Sequence, residues 1–341
     1  MHRASDMHDA RPDPNTVFLV NPASAGGSTG KRWPEIAHRA AALGLAGDAL
    51  ISEEQGQLAA LAAEAARGGA ELLVVVGGDG SVNEVVNGIA EIDDVELAVI
   101  PRGTGWDFVR TYGISRDLDA SIETALNGAV REIDLGIVTF RTWAGADARA
   151  YFANVASAGI SGAIAQRANE ASKALGGKIS YYWATLAVFA RWQTGEMRVS
   201  VDAEIRDGKM IDVVVANGRY LGGGMMICPE AEPDDGQFDV LVIGDVTKRD
   251  LLLVLPKTYR GKHLPHPRLE ALRGRVVSVD ADEPLPIELD GEQPGTTPAR
   301  FEVVPRALRL RVPASTSEMG RLRSGIPSEP GGSHWRHSSC P

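Results

Sequence analysis

The chain has 341 residues, 44% of them hydrophobic and 23% charged, with a net charge of −10. That length suggests two domains, each able to bury a core. The acidity removes the basic footprint of a nucleic-acid-binding protein and argues against attachment to anionic lipid through a general charge field, leaving room only for a local basic patch.

Two cysteines, Cys228 and Cys340, make neither a disulfide framework nor a cysteine-based zinc site, and a reducing cytoplasm is the expected compartment. Residues 1–14 read as a polar, disordered leader without the apolar stretch of a signal peptide. No run of about 18 apolar residues is present, so no bilayer-spanning helix is expected.

From residue 15 to 134 strand and helix patterns alternate. Thr16–Val20 is a short apolar strand that stops at Asn21-Pro22, and a helical stretch follows to about Leu43. Asp48–Ile51 reads as a strand and Leu58–Ala66 as a helix. Glu71–Val76 is apolar enough for a strand buried on both faces, Ser81–Ala90 has helical spacing, and Leu97–Ile100 is another buried strand closed by Pro101. The alternation predicts an α/β, doubly wound parallel-sheet nucleotide domain. From 135 to 313 strands dominate, about 133–140, 150–156, 196–203, 210–217, 238–243, 274–280, 285–290 and 301–312. Helical segments interrupt them at about 160–175 and 178–193. This predicts a mostly antiparallel, β-sandwich-like domain with inserted helices, whose last strands could return to the first domain. Residues 314–341 read as a disordered tail.

The strongest chemical signal is Val76-Gly77-Gly78-Asp79-Gly80-Ser81-Val82-Asn83-Glu84, a buried strand that ends in glycines where a helix begins. Glycine lets the backbone approach a phosphate, and the helix N-terminus offers free N–H groups. A carboxylate in such a loop repels phosphate directly but fits if Mg²⁺ lies between them. A second loop, Pro101-Arg102-Gly103-Thr104-Gly105-Trp106-Asp107, repeats the strand-to-helix arrangement with a hydroxyl and a second carboxylate; alternatively Asp107 simply caps its helix. A third, Asn21-Pro22-Ala23-Ser24-Ala25-Gly26-Gly27, ends the first strand. Three such loops converge on one edge of a parallel sheet.

Together the loops resemble those of bacterial diacylglycerol-kinase-like lipid kinases, in the NAD kinase/phosphofructokinase-like superfamily. The matching segments are Asn21-Pro22, Gly77 to Glu84 and Gly103 to Arg110, and the resemblance spans about residues 16 to 313. It implies an ATP-dependent, Mg²⁺-dependent kinase acting on the hydroxyl of diacylglycerol or a related lipid. Such an enzyme meets its substrate at the membrane surface from the cytoplasm, by transient association; a homodimer stays open. The implied nucleotide site comprises Asn21, Ser52 (where the family usually has threonine), Gly77, Gly78, Asp79, Gly80, Ser81, Val82, Asn83, Gly103, Thr104 and Asp107. Trp106 departs from the family's asparagine, and could stack on adenine, fill core or line a lipid entry.

In the second domain Asp290-Gly291-Glu292 matches the family's Asp-Gly-Glu. By resemblance Glu292 is the general base, with Asp290 beside it facing the metal network and Asp79 completing the catalytic set; an attacking alcohol needs such a proton acceptor. Asp-Gly is also the commonest hairpin turn. The segment 229–239 resembles the family's structural Mg²⁺ loop, implying the Asp235 side chain as a ligand, helped by backbone carbonyls at Glu232 and Gln237, with Asp134 in the same acidic network; a solvated acidic loop is the alternative. Tyr181, Tyr182, Trp183, Phe189 and Trp192 make either core or the wall of an acyl-chain cleft. An NAD kinase and a catalytically silent nucleotide- or lipid-binding regulator are the rival functions.

Overall fold

A computed structural model describes residues 15–175, 185–189, 191–192 and 194–314. The first half builds a parallel sheet from β1 (Thr16–Val20), β2 (Asp48–Ile51), β3 (Leu72–Gly77) and β4 (Glu96–Pro101). Its order is β2-β1-β3-β4. The strands are apolar throughout because both faces are covered. On one face Leu19, Val75 and Val99 pack with Leu58 and Ala62 of α2 (Gln57–Arg67) and with Val82, Val85 and Val86 of α3 (Asp79–Ile89). On the other, Phe18, Val74 and Ile100 meet Ile36 and Ala40 of α1 (Ser28–Ala42) and Ile122 and Ala125 of α5 (Leu118–Asn127); the short α4 (Asp107–Thr111) precedes α5. Successive residues therefore serve opposite cores, each fully buried side chain contributing roughly 1.5–3 kcal/mol.

The second half is antiparallel. Its strands are β5 (Ala129–Thr142), β6 (Asp147–Phe152), β7 (Val155–Gly159), β8 (Gly195–Val201), β9 (Glu204–Ala216), β12 (Phe238–Gly244), β13 (Leu269–Gly274), β14 (Val276–Ala281), β15 (Ile287–Leu289) and β16 (Gly295–Val312). Phe152, Phe238 and Phe301 fill the core between its layers. A minor hairpin, β10 (Tyr220–Leu221) with β11 (Met225–Met226), stands apart. The last strand does return to the first domain: β16 runs parallel to β4 at Arg309 and Leu310 while pairing antiparallel with β5 and β14. The expected boundary at 134/135 falls inside β5, along which the packing passes from the nucleotide-side core at Ile133 and Leu135 to the second core at Val138.

Three helical stretches follow β7 among the described residues: α6 (Ile160–Leu175) and residues 185–189 fall in the two expected helical segments, and α7 (Lys248–Thr258) was not expected. A capping box, Thr247 with Asp250, starts α7, and its Leu-rich run reads equally as strand or helix from periodicity alone. Tyr181, Tyr182 and Trp183, like the leader and most of the tail, lie outside the described residues. Phe189 and Trp192 pack with Ile160, Ile164 and Ile211, as core residues do.

Candidate active site

The carboxyl ends of β1, β3 and β4 open on a cleft of about 640 Å³, closed on its far side by the second domain. After β1, Asn21 donates from Nδ2 to Ser81 Oγ at 2.9 Å and accepts at Oδ1 from the Ala23 N–H at 3.0 Å, so the Asn21 loop is tied to the start of α3. The loops after β3 and β4 touch through glycine: a Cβ on Gly103 would lie 2.7 Å from Gly78 Cα, closer than any side chain tolerates. Gly105 similarly makes room for Asp79, whose Oδ2 lies 2.4 Å from where a Cβ would be.

Asp79 accepts from the Phe108 N–H at 3.1 Å and more weakly from the Asp107 N–H at 3.4 Å, capping α4 from outside. Asp107 accepts from Arg110 at 2.8 Å and from the Gly223 N–H of the β10–β11 turn at 2.6 Å. Burial pushes Asp79 up despite its backbone donors; burial and the neighbouring Asp79 push Asp107 up to about 7. Two crowded carboxylates under the phosphate loops are the donor set that a hard divalent cation takes, and their mutual repulsion is what such an ion relieves. Magnesium fits here.

From the second domain the turn after β15 reaches in. Asp290 (φ 49°) and Gly291 (φ 96°) both occupy the left-handed region, and Leu289 and Glu292 exchange backbone hydrogen bonds at 2.8 and 2.9 Å. This is the Asp-Gly hairpin geometry, so turn and site are the same feature. It brings Glu292 Oε1 to within 3.5 Å of a Cβ placed on Gly80. Burial and the nearby Glu84 both raise the Glu292 pKa. Asp290 does not face a metal network. Its Oδ1 accepts from the Asn154 and Val155 N–H groups, both at 3.0 Å; its Oδ2 accepts from the Ala153 N–H at 2.8 Å and Asn83 Nδ2 at 3.0 Å.

Thus Asn21, Ser52, Gly78, Asp79, Gly80, Ser81, Val82, Gly103, Thr104 and Asp107 line one cleft with Asp290 and Glu292. Gly77 is buried at the strand end beneath it, and the Asn83 amide is committed to Asp290 and to the Tyr151 carbonyl. Trp106 is not among the cleft-lining residues: it packs against the nucleotide-side core with the Arg116 guanidinium 4.3 Å above its ring.

In the second proposed metal set the acidic side chains are already paired. Asp235 pairs with Arg273, and Glu232 with Arg219 at 2.9 Å. Asp134 accepts from the backbone of Gly236 at 2.7 Å and Arg306 at 2.8 Å, and Gln237 contributes its own N–H to Asp235 at 3.0 Å. These side-chain oxygens serve arginines and amides, and among the described residues no cluster of three or more acidic, His or Cys side chains could hold a metal.

Sequence reasoning missed Glu288, fully buried in the cleft wall, where burial and the carboxylates of Asp290 and Asp212 raise its pKa well above normal. A glutamate between Ile287 and Leu289 in a buried strand was a usable signal. It also missed Gly222 and Gly223, which reach the cleft only through a hairpin too short to show a strand pattern.

Residues 15–138 match the diacylglycerol kinase catalytic domain, and residues 154–312 match the YegS C-terminal NAD kinase beta sandwich-like domain. The diacylglycerol kinase of Bacillus subtilis (strain 168) is 29% identical over 259 residues, 75% of this chain and 82% of that protein. The diacylglycerol kinase of Staphylococcus carnosus (strain TM300) is 26% identical over 285 residues, 83% and 90% of the two chains. A solved Bacillus anthracis str. Sterne chain assigned as a diacylglycerol kinase superimposes with a TM-score of 0.70 at 25% identity, covering 88% of this chain and 97% of that one. The chain belongs to the bacterial diacylglycerol-kinase-like lipid kinases of the NAD kinase-like superfamily, phosphotransferases with an alcohol acceptor. No helix among the described residues is long and apolar enough to cross a membrane.

Proposed function

We propose that the enzyme transfers the γ-phosphoryl group of ATP to the hydroxyl of diacylglycerol or a closely related lipid, with Mg²⁺ at Asp79 and Asp107. The observation that carries this reading is the opposition of Glu292 to Gly80 across the cleft. The loops at Asn21, Gly78 and Gly103 hold the phosphates, with the N-terminus of α3 beneath them. Glu292 enters from the other wall as the proton acceptor. The hydroxyl oxygen attacks the γ-phosphorus, its proton passes to Glu292, and the bond to the bridging oxygen breaks to release ADP. Bound magnesium would offset the charge of the phosphates and of the two aspartates. Asp290 orients the turn that carries Glu292.

The relatives favour this reading over an NAD kinase. The test is labelled ATP against a panel of extracted lipids, with nicotinamide dinucleotide as the soluble control. In parallel, Glu292→Gln lowers kcat by on the order of 10²–10⁴-fold, the range of a general base, while nucleotide affinity stays near wild type. Transfer to the dinucleotide alone, or a Glu292→Gln variant with most of its kcat, overturns the proposal.

A further inference from the structure

A kinase whose acceptor is a lipid has to settle on a bilayer, yet this chain carries a net charge of −10. One segment departs from that balance. Between Thr247 and Leu269 it holds six basic residues, Lys248, Arg249, Lys257, Arg260, Lys262 and Arg268, and one acidic residue, Asp250. All six are exposed, and none forms a salt bridge among the described residues. Asp250 is committed to the cap of α7, accepting from the Thr247 N–H and Oγ at 2.8 Å each, with His266 Nε2 3.6 Å away.

The apolar residues of α7 divide between two sides. Leu255 is buried, whereas Leu253 is 67% exposed, the most exposed large hydrophobic residue among those described. Arg249, Leu253, Lys257 and Arg260 recur at intervals of three or four and share one solvent-facing stripe of the helix and its last turn. An exposed leucine framed by cations presents an apolar tip inside a basic rim. It suits the boundary of an anionic bilayer, where the leucine enters the acyl region and the long basic side chains reach phosphates.

The turn after the helix packs on a core cluster that also holds Leu221, a residue of the cleft wall. Leu264 joins the core cluster of Leu221, and His263 Nε2 lies 3.0 Å from the Ile227 carbonyl. Two residues beyond Leu221, the Gly223 N–H holds Asp107.

We propose that α7 and the following basic turn form the surface by which the enzyme docks on an anionic bilayer, with Leu253 inserted and Arg249, Lys257 and Arg260 on lipid phosphates. The inference rests on the lipid-kinase reading for its occupant, and its test is separable from it. Full-length protein is sedimented with phosphatidylcholine vesicles, with and without a quarter of phosphatidylglycerol. Wild type binds the anionic vesicles selectively, and added salt weakens the binding. Replacing Arg249, Lys257 and Arg260 by glutamine lowers that partitioning on the order of 100-fold, and Leu253→Asp lowers it about 10-fold.

Both variants keep wild-type turnover on a short-chain diacylglycerol dispersed as monomers, because none of these residues lines the cleft. Equal partitioning of all three proteins, no preference of wild type for anionic vesicles, or variants that also lose turnover on the dispersed substrate each overturn the docking surface. Failure of wild type to phosphorylate any dispersed lipid counts against the kinase reading instead, while the vesicle measurement still decides the docking.

Discussion

Asp290→Asn tests how the two walls of the cleft are joined. The aspartate accepts four hydrogen bonds, three from the backbone of residues 153–155 and one from Asn83 on α3. Asparagine has nearly the same shape and tolerates the left-handed φ of 49°, so backbone strain is held constant. It replaces one oxygen by an amide that cannot accept. In the less damaging orientation Oδ1 keeps Asn154 and Val155, while Ala153 and Asn83 face a donor. Two hydrogen bonds to a charged acceptor disappear, for an expected loss of about 3–5 kcal/mol. Urea unfolding followed by circular dichroism measures this by linear extrapolation. The turn holding Glu292 loosens as well, so kcat falls while ATP affinity changes little. A loss below about 1 kcal/mol, typical of an ordinary surface substitution, would refute the idea that Asp290 fastens the turn.

Other substitutions probe electrostatics and packing. Glu84→Gln keeps an acceptor for the Leu58 N–H but removes the charge that raises the Glu292 pKa; the acid limb of kcat, above the ordinary glutamate range in wild type, moves to lower pH, and an unmoved limb contradicts the coupling. Trp106→Asn relieves about 1 kcal/mol of left-handed strain but loses roughly 2–3 kcal/mol of burial and stacking on Arg116, so the protein is destabilised by about 1–2 kcal/mol with KM for ATP unchanged. A large KM change would instead put Trp106 on the nucleotide. Asp212, fully buried against Ser161, is pushed up to about 7 by burial from an unfolded value of 3.8. The folded state therefore binds the extra proton between those values, and stability falls as pH rises through them. Asp212→Asn removes up to ~1.4 kcal/mol per pH unit of that slope, read from melts across the window.

The parallel sheet was legible because strands covered on both faces must be apolar throughout, and Val74-Val75-Val76 and Leu97–Ile100 have no other economical reading. The loops that line the cleft were legible because glycine and a hydroxyl follow β1, β3 and β4, joined by a carboxylate after β3 and β4. What escaped depends on long-range contacts. The role of Asp290 is set by amides 135–137 residues away, and nothing near it in sequence announces them. The arginines paired with the Asp235 and Glu232 side chains, Arg273 and Arg219, lie 38 and 13 residues away, outside the acidic loop that carries the motif. Trp106 had three readings in sequence, and only its packing selects core.

β16 lies between β4 and β14 and also pairs along most of its length with β5. The chain thus finishes by stitching its last strand into the seam between its halves. A fragment ending near residue 138 would leave the β4 edge bare and its core without Leu308 and Leu310, a template for aggregation rather than an independent nucleotide module. The same seam limits hinge motion. With β16 paired on both sides of the seam, a change in the gap between the glycine loops and Glu292 has to pass through its irregularity between Val304 and Leu308, where Arg306 has φ 53°. Room for an incoming lipid acceptor then has to come from side chains, connecting turns and that one break in the pairing.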